Sequence, residues 1–600
     1  MEPGALAGVS VRPEVRYLKG MTNAALETAV AQWIDGDIDE ADRAELAALV
    51  AANEWAALAD RFAGDLAFGT AGLRGRIEAG PNRMNRAVVV RATGAVADWL
   101  EADEDGRGGL VVLGRDGRRK SDVFLRDAAA VLVARGFSVA LLDRPVPTPL
   151  VAFAARKLGA VAAIAITASH NPPDDNGYKL YDRTGGQIVS PSDERIAARI
   201  AALGPARSIP RADLEGSSLV RHLGAETDAA FLEAVAAAAR VASPKVPFTV
   251  VYTPMHGVGA PFMVPALRAA GFEAVHVVPE QAEPDGTFPT VKFPNPEEKG
   301  ALDLAFALAR AKKADLVVAS DPDADRLAIA IPDPTTPGAF VQLTGNEVGV
   351  LLAHHLFGQT PAEERPKKLV VRSIVSTPML DKLAASHGAR ADATLTGFKW
   401  IARSFTAHRA EGLEPLFGFE EALGYCIREI VGDKDGIAAA VAFCDLARGL
   451  HAQGRTVLDA LGDVYASVGA FASAQATVPH PTPESRAAVF AALEGLMADP
   501  PREVRGRKVV AVGDFTKGVR RTAAGVETRL ALPKTLLVEL EFEGGSRILV
   551  RPSGTEPKTK VYADVLGAPE KTASPLAARE AARLEGQAMA DEIASRLRVS

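Results

Sequence analysis

The chain of 600 residues is 48% apolar and 24% charged, an ordinary balance for a soluble globular protein, and its length suggests roughly three to five domains rather than one core. A formal net charge of −7 argues against a generic nucleic-acid or anionic-membrane surface. Only two cysteines, Cys426 and Cys444, occur, so no disulfide framework is expected and a reducing cytosol is the natural setting. The opening MEPGALAGVSVRPEV lacks the basic and apolar regions of a signal peptide, and no uninterrupted apolar run of about 18 residues reads as a membrane span.

Residues 22 to 62 read as helices, with Thr22 or Asn23 capping the first and Asp39 the second, and with apolar positions recurring through Leu46, Val50 and Trp55. From about residue 110 strands and helices alternate: Leu110–Leu113 as a strand, 121–135 as a helix, Ser138–Leu142 and 161–166 as strands. That order predicts parallel βαβ units. Ala134-Arg-Gly-Phe137 running into a strand, and Ala269-Ala-Gly-Phe272 running into another, form a weak repeat of helix end, glycine and strand, which any α/β protein can also contain. Composition places breaks near 203–222, 332–338 and 476–485, giving four domains at 1–215, 216–336, 337–475 and 476–600. The last differs in style. Leu536–Phe542, a Gly544-Gly545 turn and Arg547–Val550 read as a hairpin, Thr559–Ala563 as another strand and 574–598 as a long amphipathic helix, so this domain is expected to be α+β.

Four stretches can carry chemistry. Ser169, in Thr167-Ala-Ser-His-Asn-Pro-Pro173, follows the apolar run 161–166, and open α/β sheets place ligands at the carboxyl ends of strands. Its hydroxyl beside His170 suits hydrolase or transferase chemistry. Asp321-Pro-Asp-Ala-Asp-Arg326 follows the strand Asp315–Ala319, and its carboxylates can converge on Mg²⁺ if the chain curls. An EF-hand would need Gly and Glu where Arg326 and Pro332 stand; a phosphatase loop with Asp321 as nucleophile and a solvated acidic turn are the other readings. Arg551-Pro-Ser-Gly-Thr-Glu-Pro-Lys558 offers enough donors to wrap a phosphate, or is a polar hairpin loop. In Phe417–Tyr425, Glu420 and Glu421 can accept bonds from sugar hydroxyls or cap a helix. Gly432-Asp-Lys-Asp-Gly436 presents Lys434, and Gly69–Gly75 presents Arg74; either can be plain turn chemistry. A nucleophile, an ion loop, a sugar acceptor and a phosphate clamp together describe phosphoryl transfer on a sugar phosphate.

In their order and spacing TASHNPP, DPDADR, GFEEALGY and RPSGTEPK resemble the α-D-phosphohexomutases, the phosphoglucomutase/phosphomannomutase superfamily, from about Gly69 to Lys560. GTAGLRG, TPMHGVG (253–259) and GFEEALGY look most like its phosphoglucomutase-2-type branch, some of whose members act on pentose phosphates. The resemblance implies an α/β fold of four domains around a central cleft, three similar and mixed α/β, the fourth α+β. It implies a phosphoserine at Ser169, Mg²⁺ held by Asp321, Asp323, Asp325 and a phosphate oxygen on Ser169, and Lys179, ten residues past the serine, as general acid/base with His170 assisting. Arg74 and Arg326 would steady the phosphate, Glu420 the sugar hydroxyls, and Arg551, Ser553, Gly554, Thr555 and Lys558, with Lys434, the phosphate not in transfer. The implied activity is interconversion of hexose 1- and 6-phosphates, primed by a hexose 1,6-bisphosphate, with phosphopentomutase as the alternative. Partners are expected to be small sugar phosphates, with no nucleic acid or membrane, for a cytoplasmic monomer or weak homodimer. One departure stands out: Ala422 occupies the place where glucose-mutase relatives carry Ser or Thr, which leaves the preferred sugar open.

Overall fold

The computed structural model describes residues 23–102, 106–553, 557–568, 572 and 574–598. The chain forms two compact units, residues 23–343 with 423–449, and residues 344–422 with 450–598.

The first unit opens with helices Asn23–Gly36, Glu40–Ala51 and Trp55–Arg61, closed over Leu26, Val30, Leu46 and Leu58. Asp39 caps the second by accepting from the Ala41 N–H; of the two caps expected for the first, Thr22 lies outside the described residues and Asn23 is the first residue of the helix itself. Two α/β sheets follow. The first contains β1 (Leu73–Arg76), β2 (Leu110–Arg115), β3 (Ser138–Pro145), β4 (Ala162–Ile166), β5 (Asp175–Asp182) and β6 (Val220–His222), in the order β1-β5-β4-β2-β3-β6. β4, β2, β3 and β6 are parallel, while β5 pairs antiparallel with β4 and β1 antiparallel with β5. The second contains β7 (Thr249–Thr253), β8 (Ala274–Val277), β9 (Leu316–Ala319), β10 (Ala328–Pro332) and β11 (Phe340–Gln342), with β8, β7 and β9 parallel and β10 and β11 completing an antiparallel edge. The repeat is real geometry: Gly136 and Gly271 take φ of 80° and 81°, each turning a helix into the next strand through a left-handed conformation that glycine adopts freely.

In the second unit β12 (Lys368–Ser373) lies parallel to β13 (Arg390–Thr394) and β14 (Glu414–Glu420). The C-terminal part is an antiparallel sheet in which the long edge strand Phe471–Pro479 pairs with Lys558–Leu566, which pairs in turn with Arg547–Pro552 and that with Val538–Phe542. The helix Pro575–Leu597 covers it through Ala582, Met589 and Ile593. The sheet-rich last domain therefore matches the expected change of style.

The breaks read from composition run into edge strands of the adjoining sheets. The segment 203–222 ends in β6, which completes the first sheet on β3; 332–338 is the turn of the β10–β11 hairpin; and 476–485 begins inside the edge strand Phe471–Pro479. Short edge strands carry polar and proline residues because one side faces no partner, so they look like linkers in composition.

Asp42, in the first turn of the second of these helices, is buried with Lys120 Nζ 3.2 Å away, yet burial outweighs that lysine and pushes its carboxyl up to about 6. A carboxyl raised above its ordinary 3.8 binds its proton more tightly in the fold than in the unfolded chain, so ionising it costs stability above about pH 6. Asp42→Asn should raise the melting midpoint at pH 7.5, with the gain shrinking towards pH 5; an equal gain at both, read by thermal denaturation, contradicts this.

Candidate active site

The first unit brings most of the expected residues onto one spot. β4 ends at Ile166, and three residues on Ser169 sits at φ 53°, a left-handed conformation uncommon outside glycine. Two devices hold it there. Its N–H donates to Thr167 Oγ1 at 2.8 Å. The buried Arg118 guanidinium spans the loop from beneath, donating to the carbonyls of Ser169 and Asn171 (both 2.6 Å), Pro172 (2.8 Å) and Asp175 (3.0 Å), with its face 4.9 Å from the Phe288 ring. Arg118 went unnoticed in the sequence, although it lies in the polar run Arg115–Lys120 at the carboxyl end of β2, where ligand loops of such sheets gather.

The second strand-end loop follows β9. Ala324 at φ 55° curls Asp321–Asp325 so that one ligand atom from each of Asp321, Asp323 and Asp325 falls within 4.8 Å of the others, all three residues buried. This is the curl that an extended DxDxD could not supply. The loop rests on the 253–259 turn: Val258 N–H donates to the Pro322 carbonyl at 2.9 Å, and a Cβ at Gly257 would come within 2.4 Å of Pro322 Cα, so only glycine permits the approach.

Ser169 Oγ donates to Asp321 Oδ2 at 2.8 Å, and the Arg326 N–H donates to Asp321 Oδ1 at 3.0 Å. Lys179, on β5 opposite Ala165, places Nζ 2.6 Å from Asp323 Oδ2 and 3.0 Å from Asp325 Oδ2. Lys434 Nζ lies 3.1 Å from the same Asp325 oxygen. Expected beside the phosphate not in transfer, Lys434 instead reaches the carboxylate cluster, with Gly424 leaving room for its stem. Thr148 donates to Asp323 Oδ2 at 3.1 Å. By contrast Asp323 Oδ1 and Asp325 Oδ1 are buried without a hydrogen-bond partner among the described residues. Oxygen-only donors, three buried carboxylates and two unsatisfied oxygens fit a hard divalent cation such as Mg²⁺.

The charges sort themselves by position. Burial and the neighbouring Asp323 and Asp325 push the Asp321 carboxyl well above its usual range. Burial acts upward on Asp325 too, but Lys179, Lys434 and Arg326 outweigh it and hold that carboxyl down; Asp323 is likewise lowered, chiefly by Lys179. Burial opposes the charge on Lys179, yet Asp323 and Asp325 raise it above its ordinary value, so it carries its proton. His170 stands 3.1 Å from Ser169 Oγ through Nδ1 and 3.4 Å from Arg326 through Nε2. Burial, then Arg326 and Arg74, depress its pKa strongly, leaving a neutral imidazole and a weak base. Arg74 donates to Asn171 Oδ1 at 3.3 Å, passing over Gly177, whose missing side chain leaves it space.

The remaining expected residues belong to the second unit. Glu420 ends β14 and accepts from the Gly397 N–H at 2.7 Å. Its neighbour Glu421 is the buried member of the pair: Ser373 and Ser376 hydroxyls each donate to it at 3.3 Å, and its own N–H donates to Ser376 Oγ. Arg547 ties that serine to the C-terminal sheet, donating to the Ser376 carbonyl at 2.7 Å and to Asp564 Oδ2 at 2.8 and 2.9 Å. Arg551 stands opposite Lys560 in the sheet, and the Ser553 N–H donates to the Lys558 carbonyl at 2.8 Å, closing the expected phosphate loop at its base. Gly554 and Thr555 lie outside the described residues.

Comparison with known proteins finds relatives that match this chain over most of its length. Models of phosphoglucomutase/phosphomannomutase α/β/α domains I, II and III match residues 65–206, 229–335 and 344–468. A Haemophilus influenzae protein named a probable phosphomannomutase is 40% identical over 496 residues, covering 82% of this chain and 94% of its own. The phosphoribomutase of Saccharomyces cerevisiae is 34% identical, covering 92% of this chain and 94% of its own. A crystal structure from Thermus thermophilus, assigned as a phosphomannomutase, superposes with a TM-score of 0.62 at 26% identity, covering 87% of this chain and all of that one.

Replacing Arg118 by Met removes the four carbonyl contacts while keeping most of the buried volume. Turnover should fall at least a hundredfold in whichever phosphosugar assay the wild-type chain supports, and the melting midpoint should drop as the buried carbonyls and Asp116 lose their partner; wild-type turnover in the folded variant would contradict a positioning role.

Proposed function

The chain belongs to the phosphoglucomutase/phosphomannomutase family and is a phosphosugar mutase, and from that premise we propose that it interconverts hexose 1-phosphates and hexose 6-phosphates through a phosphoserine at Ser169. The observation that carries this reading is Ser169 Oγ held 2.8 Å from a buried three-carboxylate cluster.

Phosphoserine transfers its phosphoryl group to the free hydroxyl of the bound sugar phosphate: the P–O bond to Ser169 breaks, one to the sugar forms, and the hydroxyl proton ends on the oxygen left behind. The resulting bisphosphate turns end for end while bound, and its other phosphate returns to Ser169 by the same step reversed. Asp321, Asp323 and Asp325 would hold Mg²⁺, which when bound neutralises charge on the transferring phosphoryl oxygens. Arg118 and Thr167 keep Ser169 presented. Arg74 and Arg326 supply fixed positive charge beside it. Lys179 is the acid/base for the travelling proton, entering in its protonated form, and His170, neutral and only weakly basic, orients the serine hydroxyl. Glu420 takes the sugar hydroxyls, and Arg551, Ser553, Gly554, Thr555 and Lys558 take the phosphate at rest. Lys434 contributes to the cation cluster around Asp325. A hexose 1,6-bisphosphate primes the serine.

Two alternatives differ in weight. Phosphopentomutase activity, on ribose or deoxyribose 1-phosphate, is favoured by the likeness to the yeast phosphoribomutase and by Ala422, which removes a hydroxyl from the sugar loop. A phosphatase with Asp321 as nucleophile is disfavoured, because it needs no serine hydroxyl and leaves the held Ser169, 2.8 Å from Asp321, without a role.

The test is a coupled assay over glucose, mannose, ribose, deoxyribose and N-acetylglucosamine 1-phosphates with and without bisphosphate primer. Ser169→Ala should lose at least a thousandfold in kcat on every substrate; retention of wild-type turnover, or net release of inorganic phosphate, overturns the reading.

A further inference from the structure

The two aspartates that bracket Lys179 share an asymmetry. Each has one oxygen crowded with donors and the other buried with none. Asp323 Oδ2 takes Lys179 Nζ at 2.6 Å and Thr148 Oγ1 at 3.1 Å, whereas Asp325 Oδ2 takes Lys179 at 3.0 Å and Lys434 at 3.1 Å. Asp323 Oδ1 and Asp325 Oδ1 make no hydrogen bond among the described residues. Leaving a buried carboxylate oxygen unpaired costs stability. Two in one cluster, each beside a saturated twin, mean that the donors decide which oxygen is left for a ligand.

Of these donors only Thr148 is neutral and unassigned. It opens the helix Thr148–Leu158, which follows β3, and is buried at 4% exposure. The N-cap of that helix is Pro147, whose side chain offers no acceptor, so no side-chain cap forms and Thr148 stands at the first helical position. It grips Asp323 instead, its N–H donating to the Asp323 carbonyl at 3.1 Å and its hydroxyl standing 3.1 Å from Oδ2 and 3.3 Å from that same carbonyl, across 175 residues of sequence. The positive end of the helix thus faces the metal loop, and the β-branched side chain restricts the hydroxyl to few directions.

We propose that Thr148 is a positioning residue for cation binding: by occupying Asp323 Oδ2 it turns Oδ1 towards the divalent ion. This rests on the metal reading given under Proposed function. Partners behind metal ligands commonly contribute ten- to a hundredfold in affinity.

The experiment titrates Mn²⁺, a paramagnetic stand-in for Mg²⁺, into the purified full chain and follows free ion by electron paramagnetic resonance. Thr148→Val, of nearly the same shape, should weaken Mn²⁺ binding about tenfold or more, and Thr148→Ser should restore it to within about threefold of wild type. Should the valine variant fail to fold, Thr148→Ala gives the same reading. A merely structural tether predicts a lower melting midpoint without any change in the Mn²⁺ dissociation constant, and that result overturns the inference while leaving the metal reading intact. Absence of Mn²⁺ binding by the wild-type chain overturns both.

Discussion

Three carboxylates buried within 4.8 Å of one another set the terms for everything around them. Two unit charges 4 Å apart repel by about 4 kcal/mol even at an effective dielectric near 20, and burial strips away the water that would screen them. The chain answers with positive charge and donors drawn from distant segments. Lys179 comes from β5, Lys434 from the segment before the helix Gly436–Ala452, the Arg326 N–H from the loop itself, Ser169 from the end of β4 and Thr148 from a helix start. Apart from Lys179, which lies inside β5, the side chains of the first unit that reach this point stand beside a strand end or a helix start, where backbone is free to turn.

The same constraint explains where the backbone is bent. Ser169, Met255, His256 and Ala324 all take positive φ without being glycine, at 53°, 52°, 60° and 55°. They fall in three loops that touch: the serine loop, the 253–259 turn and the carboxylate loop. Such conformations persist only where surrounding contacts over-determine them, and here those contacts are specific. Arg118 holds four carbonyls of one loop, and Val258 with the glycine at 257 fixes the seat of another. Bent backbone, and not a particular helix or strand, is what aims the reactive groups.

Much of this was legible in the chain itself. Apolar runs before TASHNPP and DPDADR placed both loops at strand ends, and the motifs together carried the family resemblance. The α/β pattern and the sheet-rich ending followed from periodicity. Three things were hidden. Arg118 lies 51 residues from Ser169 and Thr148 lies 175 from Asp323, and no local pattern reports a contact of that span. The resemblance alone placed Lys434 beside a phosphate, and a lysine in a glycine-flanked turn does not itself report that its ammonium reaches the Asp325 carboxylate. The ends of the sheets escaped because β6, β11 and the strand beginning at Phe471 are edge strands, short or proline-bounded, whose composition is that of a linker.

The central claim is that Ser169 carries the phosphoryl group between the two halves of the reaction. Its most direct test is peptide mapping by mass spectrometry after incubating the purified chain with a hexose 1,6-bisphosphate and Mg²⁺. The account predicts one phosphate per chain, located on Ser169 and lost again on incubation with excess hexose monophosphate. Phosphate on Asp321, or a chain that turns over substrate while Ser169 stays unmodified throughout, would contradict it.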